Sequence, residues 1–307
     1  MLGVNVTAAD LGAWCDRWLG AGIDEVLFET GHLSRVLGVR LADGRDVVVK
    51  ARPAADRLVA CAGVQRALWQ AGFPCPQPLA GPVPWHGYAV NAEVFVPGGE
   101  ILDVADGAVD GYADLLARLI RLAPQSLVAG LAPNPPWVAW DHGYGGIWPP
   151  PDDRAADLNA PNAHREFGWL DEVGQRVRLR LHRMRSLPSV VGHGDWEAQN
   201  LRWHGRAPWV VHDWDSVIAG PEPVVAGLAA SVWPCGAQPR AATVAESQAF
   251  IEAYQRAAGR RWGTDEIEAS WAAGLWVYAF NAKKASLNGF PWLDPDEAQQ
   301  RLRLAGA

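Results

Sequence analysis

The sequence predicts an α+β fold in which antiparallel strands precede a larger, mainly helical part. Strand-like runs separated by turns concentrate near the N-terminus, whereas helical periodicity dominates from Asp110 onward. With 307 residues and 49% hydrophobic content, the protein is large enough to bury a core for two modest lobes. A hairpin pattern between Leu201 and His212 interrupts the helical part.

Composition argues against several classes of protein. The formal charge is −7, the pI is about 5.6 and no basic block stands out, so we expect neither nucleic acid nor an anionic membrane as a partner. We also expect no secretory signal and no membrane-spanning segment, because no apolar run is long enough. Four widely separated cysteines (Cys15, Cys61, Cys75 and Cys235) are typical of a reducing cytoplasm. The expected state is a cytoplasmic monomer or homodimer.

The N-terminal part is predicted to begin with a helix and three strands. Thr7 and Asp10 have the spacing of a capping box, and Gly20 ends the helix that they open. Lys50, near the end of the third strand, is one of only three lysines among 27 Lys and Arg residues. This scarcity predicts a role that needs a compact ammonium group. The strands are expected at Glu25–Thr30, Arg35–Leu41 and Asp46–Ala51, with a turn at Asp43-Gly44.

Helices are predicted for most of the remaining sequence. A further strand is expected at Tyr88–Val96. Periodicity, capping residues and glycine stops place helices at 54–71, 110–122, 163–186, 244–258 and 265–287, the last two capped by Thr243 and Thr264.

Polar residues converge at the predicted hairpin. The motif His193-Gly194-Asp195 is followed by Asn200, and a later apolar run ends at Asp213. Because the second strand returns beside the start of the first, we expect Asn200 and Asp213 to lie side by side, near Asp195. A carboxylate and an amide oxygen suit Mg²⁺ on nucleotide phosphates, and the other carboxylate is free to accept a hydroxyl proton. This arrangement predicts phosphoryl transfer.

The motif H-G-D-x4-N, followed by an apolar strand that ends in D-W, resembles the aminoglycoside phosphotransferase and choline kinase family, relatives of the protein kinases. The resemblance implies a bilobal protein-kinase-like fold, with a small antiparallel-sheet lobe at residues 1–97 and a larger, mainly helical lobe at 98–307. It also implies Mg²⁺ as a cofactor and ATP or GTP as the donor. The segment after Ser216 is too short for a protein-kinase activation segment, so the acceptor is expected to be a hydroxylated small molecule.

The resemblance assigns roles around the transferred group. Asp195 is the expected proton acceptor, Asn200 and Asp213 the expected metal ligands, and Lys50 the residue that meets the donor phosphates. His193 is expected to brace the catalytic loop. Asp215 is a second candidate for contact with metal or acceptor.

The donor pocket is expected near the sheet. Ser34 lies in the place of the phosphate-covering loop, where a turn-capping role is equally open. The backbone C=O of Ala92 and the backbone N–H of Val94 are the expected base contacts, and Glu93 is expected in an ion pair. The helix after Lys50 lacks the family's glutamate, so either Asp56 substitutes for it or phosphates alone hold the lysine.

Residues 123–162 form a predicted insertion rich in Pro, Gly and Trp. It is either an acceptor-site wall or a segment whose aromatic residues pack in the core. Lys283 and Lys284 lie near the end of the last predicted helix, where the helix dipole favours cations. The alternative is that one of them meets an anionic acceptor. The acceptor candidates are Trp137, Trp140, Asp141, His142, Trp148, Asp152, Asp153 and Lys283.

Three functions stay open on the sequence alone. The first is a kinase for an antibiotic, aminoglycoside or nucleoside-type (capuramycin-like), in resistance or biosynthesis. Residues 150–307 hold 19 acidic and 17 basic residues, which argues against a strongly cationic acceptor. The second is a metabolic kinase for a sugar, choline-like or homoserine acceptor. The third is a nucleotide-binding pseudokinase, favoured by the missing helix glutamate.

Overall fold

The computed structural model describes residues 6–31, 34–102, 107–151, 156–161, 164–238, 240–289 and 292–307. Within them, a five-stranded antiparallel sheet lies in the N-terminal part and helices dominate the rest. The strands are β1 (Ile23–Thr30), β2 (Arg35–Leu41), β3 (Asp46–Pro53), β4 (Pro78–Trp85), β5 (Tyr88–Val94), β6 (Ser189–His193), β7 (Leu201–His204), β8 (Ala207–Val211) and β9 (Val217–Pro221). The helices are α1 (Ala8–Leu19), α2 (Arg57–Gln70), α3 (Val109–Leu122), α4 (Trp169–His182), α5 (Glu222–Val232), α6 (Val244–Ala258), α7 (Thr264–Ser286) and α8 (Pro295–Leu304).

The N-terminal sheet has the order β1-β2-β3-β5-β4. Lys50 on β3 lies opposite Val36 on β2 and Asn91 on β5, so its strand is covered on both edges. Helix α1 packs Leu11 and Trp14 into the core of this sheet. The predicted capping box of Thr7 is confirmed, and Gly20 ends α1 with a positive φ of 76°.

The helical part supports two short antiparallel strand pairs, β6–β9 and β7–β8. Helices α5 and α7 touch backbone to backbone, because a Cβ at Gly227 would lie 2.5 Å from the Cα of Ser270. Strand β6 also packs closely on α5, since a Cβ at Gly192 would collide with the side chain of Val225. The strand that ends at His193 is therefore placed directly on the helical layer.

Some predicted helix boundaries were wrong. The helix expected at 163–186 covers only Trp169–His182, because a separate 3-10 turn (Arg165–Phe167) precedes it. The residue that caps α7 is Gly263 rather than Thr264, which is already helical. Helix α8 was not predicted. Within the described ranges, no helix is long and apolar enough to cross a membrane.

Candidate functional site

The β7–β8 hairpin brings Asn200 and Asp213 together at its open end. Leu201 pairs with Val211, and the next residue, His212, donates its N–H to the C=O of Asn200 at 2.8 Å. The Nδ2 of Asn200 donates to the C=O of Asp195 at 3.0 Å. This bond leaves the amide oxygen of Asn200 as its available ligand atom.

Ser216 joins the two aspartates of the motif. Its Oγ lies 2.8 Å from Asp195 Oδ2 and 2.8 Å from Asp213 Oδ2. Burial, and next the charge of Glu197, raises the pKa of Asp195 to about 7, while the hydroxyl of Ser216 and the nearby indole N–H of Trp137 oppose the rise. Burial and the neighbouring Asp215 also raise the pKa of Asp213. The carboxylates are therefore close enough to repel each other in the absence of a cation.

His193 is placed as a brace. Its ring is fully buried, with Nε2 3.1 Å from the C=O of His212 and Nδ1 3.2 Å from the N–H of Asp195. A neutral ring that carries its proton on Nε2 satisfies both contacts. Burial lowers its pKa to about 4, which keeps the ring neutral at physiological pH. The histidine thus links the loop of Asp195 to the end of β8.

Lys50 has its ion-pair partner in the sheet and not in the helix. Its Nζ lies 3.0 Å from Oε1 of Glu93 on β5, and Oε2 of Glu93 accepts a 2.8 Å hydrogen bond from Gln65 of α2. Burial lowers the pKa of Lys50, but the charges of Glu93 and Asp215 outweigh this effect and raise it overall. The expectation that Asp56 pairs with the lysine is wrong, because Asp56 is exposed at the start of α2.

Asp215 faces the sheet. Its Oδ2 lies 2.9 Å from Nη1 of Arg52, whose Nη2 donates to the Oδ1 of Asn91 at 2.6 Å. Burial raises the pKa of Asp215, yet the cations Arg52 and Lys50 more than compensate and hold it below its usual range. This carboxylate is therefore engaged by an arginine, whereas Asp213 has no such partner among the described residues.

The charges around this cleft fit a divalent cation. Two cationic side chains (Lys50 and Arg52) face four carboxylates (Glu93, Asp195, Asp213 and Asp215), which leaves a formal excess of two negative charges. In addition, the Oδ1 of Asp215 is buried without a hydrogen-bond partner in the described structure. The free amide oxygen of Asn200 and the carboxylate of Asp213 are the hard oxygen donors that Mg²⁺ prefers. No group of three or more His, Cys, Asp or Glu ligands occurs within the described ranges.

The expected base contacts are wrong in part. The N–H of Val94 donates to the C=O of Gln77 at 2.9 Å, so it is already used within the protein. Ala92 lies inside the sheet, between Val49 and Ala80. Val94 therefore has no free N–H for a nucleotide base, whereas the contact of a base with the C=O of Ala92 stays a prediction.

The loop between β1 and β2 is tight on its described side. Gly31 has a φ of 130°, and a Cβ there would collide with the C=O of Ser34. Only glycine fits such a backbone. The C=O of Ser34 therefore lies against Gly31, while His32 and Leu33 lie outside the described residues and a phosphate contact of Ser34 stays a prediction.

Of the aromatic acceptor candidates, Trp137 lies at the site. Its Nε1 is 3.5 Å from the position of a Cβ at Gly194, and its N–H points close enough to Asp195 to lower the pKa of that carboxyl. The Nε1 atom is buried but makes no aligned hydrogen bond with a described residue. An indole donor is thus available beside the catalytic aspartate.

The other tryptophan candidates pack in the core. Trp148 is 0% exposed, contacts Trp276 at a ring distance of 5.3 Å and donates its Nε1–H to Oδ1 of Asp171 at 2.7 Å. Trp140 is 4% exposed and packs against the ring of His182. The expectation that these two side chains face an acceptor is wrong, because their surfaces are covered by protein.

The contacts of His142, a polar candidate of the insertion, are made with other residues than Asp195. The backbone oxygen of His142 accepts from Arg178 at 2.6 Å, and its Nε2 lies 3.1 Å from the C=O of Ile147. Asp141 is exposed, and Asp152 and Asp153 lie outside the described residues.

Lys283, in α7, is 0% exposed and pairs with Oδ2 of Asp171 at 2.7 Å. The expectation that Lys283 meets an anionic acceptor is wrong, because its ammonium belongs to a buried network with Asp171 and Trp148. Its predicted position in the last turn of the helix is confirmed.

Sequence reasoning missed several residues that shape the site. Ser216 and Glu197 lie within the motif region but outside the family signature. Arg52 could have been found from the sequence, because it lies two residues after Lys50 on the same strand. Residues two positions apart in a strand point to the same face, so Arg52 must share the face of Lys50. Gln65 and Arg57 of α2 offer no local signal, because their contacts are with distant segments.

Comparisons with known proteins agree with this geometry. The model of the phosphotransferase enzyme family (APH) matches residues 25–269. Among proteins of curated function, none matches the sequence.

Solved structures share the fold at low sequence identity. Amicoumacin kinase hAmiN, in complex with AMP-PNP, Ca²⁺ and amicoumacin, has a TM-score of 0.60 and 12% identity, over 92% of this chain and 87% of that chain. A thermostable aminoglycoside phosphotransferase APH(4)-Ia mutant, with AMP-PNP and hygromycin B, has a TM-score of 0.60 and 12% identity, over 97% of both chains. Macrolide 2'-phosphotransferase MphH from Brachybacterium faecium has a TM-score of 0.52 and 15% identity, over 98% of both chains.

The protein-kinase-like fold and the family match define a small-molecule phosphotransferase. The chain belongs to the phosphotransferase enzyme family. The predicted family and fold class are therefore confirmed.

Proposed function

We propose that this protein transfers the γ-phosphoryl group of ATP or GTP to a hydroxyl of a small molecule, with Mg²⁺ as cofactor and residues 1–97 and 98–307 as its two lobes. The observation that carries the proposal is the Ser216 bridge, which holds Asp195 and Asp213 within reach of one hydroxyl. The proposed proton acceptor, Asp195, and the proposed metal ligand, Asp213, are thereby held next to each other around the hydroxyl of Ser216.

Each side chain has a chemical task in this proposal. Asp195 orients the acceptor hydroxyl and takes its proton, a contribution typically of about 10²- to 10⁴-fold. Lys50, held by Glu93, meets the donor phosphates. Asn200 and Asp213 would hold Mg²⁺, which neutralises the charge of the nucleotide phosphates when bound.

The acceptor is proposed to lie between Trp137 and Asp195. The indole N–H of Trp137, buried beside Asp195, would donate to the acceptor oxygen, and Glu197 adds a partly buried carboxylate two residues after Asp195. Solved relatives bind hygromycin B and amicoumacin, which supports an antibiotic acceptor of the aminoglycoside or nucleoside type. Sugar, choline-like and homoserine acceptors are the alternative. The missing helix glutamate favoured a pseudokinase, but Glu93 supplies Lys50 with a carboxylate partner and so takes away that argument.

The direct test is incubation with Mg·ATP or Mg·GTP and a panel of hydroxylated compounds, read by mass spectrometry. A gain of one phosphate on a compound supports the proposal and identifies donor and acceptor together. Binding of Mg·nucleotide without transfer to any compound, and without slow hydrolysis to water, would instead favour the pseudokinase.

A further inference from the structure

Arg57, at the start of α2, makes an unusual set of contacts for a charged side chain. Its Nη1 donates to the C=O of Asp215 at 2.7 Å, its Nη2 to the C=O of Val217, and its Nε to the C=O of Leu131 at 3.3 Å. It has no carboxylate partner among the described residues. The guanidinium therefore acts entirely on backbone oxygens.

Two of these oxygens belong to the turn that carries Asp213 and Ser216. Asp213 has φ 65° and ψ 51°, a left-handed backbone that side-chain-bearing residues disfavour. The surrounding contacts must therefore hold the turn in place. Cys61 of α2 adds a 3.8 Å contact from its Sγ to the C=O of Asp215, and Arg52 binds the Asp215 carboxylate.

Helix α2 is thus connected to the metal side of the cleft by a different route from Lys50. The ion pair of Lys50 is made with β5, and α2 reaches it through Gln65, which donates to Glu93. The contacts of Arg57 instead join α2 directly to residues 215–217.

We propose that Arg57 is a positioning residue for the turn at 213–217, whose geometry it sets so that Asp213 faces the metal–nucleotide complex. The inference rests on the proposed function. The planar fork of arginine spans two carbonyls that are two residues apart, whereas the single ammonium of lysine does not. Arg57→Lys therefore keeps the positive charge but cannot donate to both carbonyls at once.

Arg178 offers a matched control. It also donates to three backbone oxygens, those of Trp140, His142 and Gly146, at 2.9, 2.6 and 2.8 Å. Those oxygens lie in the insertion and not in the turn. Arg178→Gln therefore removes the same kind of contact without touching Asp213.

The experiment measures AMP-PNP binding by calorimetry, with Mg²⁺ and with EDTA, for wild type, Arg57→Lys, Arg57→Gln and Arg178→Gln. We expect both Arg57 variants to lose about 10- to 100-fold in affinity with Mg²⁺, as is typical when a residue that orients a metal ligand is lost. Affinity in EDTA should change less than about twofold, and amide hydrogen exchange at 213–217 should rise. Arg178→Gln should lower the Tm while it keeps the gain in affinity that Mg²⁺ gives.

Three outcomes overturn the inference. If the Arg57→Gln protein keeps the full Mg²⁺-dependent gain in AMP-PNP affinity, the turn at 213–217 keeps its geometry without Arg57. An equal loss in Arg178→Gln shows a general effect of destabilisation. A wild-type protein without any Mg²⁺-dependent gain contradicts the proposed function itself, and the inference fails with it.

Discussion

The catalytic hairpin region (residues 195–216) and the insertion (residues 123–162) carry similar side chains, yet they use them differently. In the hairpin region the polar groups converge, since one hydroxyl of Ser216 contacts both Asp195 and Asp213. In the described part of the insertion, Trp140 and Trp148 turn toward the core and Asp141 is exposed. Trp137 is the one of its three tryptophans that lies beside Asp195.

The difference shows what sets the direction of a side chain in each region. Strand pairing between β7 and β8 fixes the flanking residues from local register alone. The described residues of the insertion have no such regular pairing, and their side chains are directed by partners such as Asp171 and Arg178. Aromatic residues in an irregular segment are therefore poor guides to a ligand site until their packing is known.

The largest effect is expected for Asp195→Asn. Loss of the proton acceptor should reduce phosphoryl transfer by about 10²- to 10⁴-fold, with nucleotide affinity nearly unchanged. Transfer, or slow ATP hydrolysis to water, measures the first quantity and calorimetry the second. A variant with the wild-type rate would remove the assignment of Asp195 as base.

Lys283→Ala should act on stability and not on the site. Removal of the ammonium takes a buried partner away from Asp171, whose carboxylate is 34% exposed and keeps its bond from Trp148. The expected cost is therefore about 1–3 kcal/mol in the free energy of unfolding. Lys284, its exposed neighbour, is the matched control, and Lys284→Ala should change this free energy by less than about 0.5 kcal/mol. Denaturant unfolding gives both numbers. Equal effects of the two substitutions would contradict the buried network.

Glu93→Gln tests which carboxylate serves Lys50. Since Glu93 makes a charge-assisted contact with the lysine, its loss should weaken nucleotide binding about tenfold or more. Asp56→Asn should leave binding unchanged, because Asp56 is exposed. The reverse order of effects in a binding titration would restore the helix as the source of the partner.

The smallest expected effect separates the tryptophans. Trp137→Phe keeps an aromatic wall but removes the N–H beside Asp195, so turnover should fall by about 3- to 10-fold at unchanged stability, the value of one hydrogen bond. Trp148→Phe should show the opposite pattern, because it loses its bond to Asp171 in the core. Turnover at saturating donor and the Tm are the two measurements. A Trp148 variant with the larger catalytic loss would place the acceptor elsewhere.

Much of the fold was predictable from local sequence. Thr7 and Thr243 cap their helices as their spacing predicted, because a capping box involves residues only three positions apart. The side-by-side positions of Asn200 and Asp213 followed from the length of the hairpin. Such features depend on short stretches of sequence, and short stretches are what a single sequence describes well.

The residues that tune the site were not predictable in the same way. Glu93 reaches Lys50 across two neighbouring strands, and Arg57 reaches Asp215 across a long stretch of sequence. These contacts exist only once the sheet and α2 have taken their places. The burial of Lys283 likewise depends on α4 and α7 meeting at Asp171. Such contacts depend on tertiary packing, which neither the composition of the sequence nor its hydrophobic periodicity predicts.

The close stacking of β6 on α5, and of α5 on α7, has a mechanical consequence. At Gly227 no side chain separates α5 from α7, and at Gly192 only the side chain of Val225 lies between β6 and α5, so little between these elements can be compressed. A shift of α7 at Ser270 would therefore press on α5 and, through Val225, on the strand that ends at His193. Changes in substrate preference are therefore better accommodated in the irregular segments around the cleft, where side chains can be exchanged without moving this rigid support.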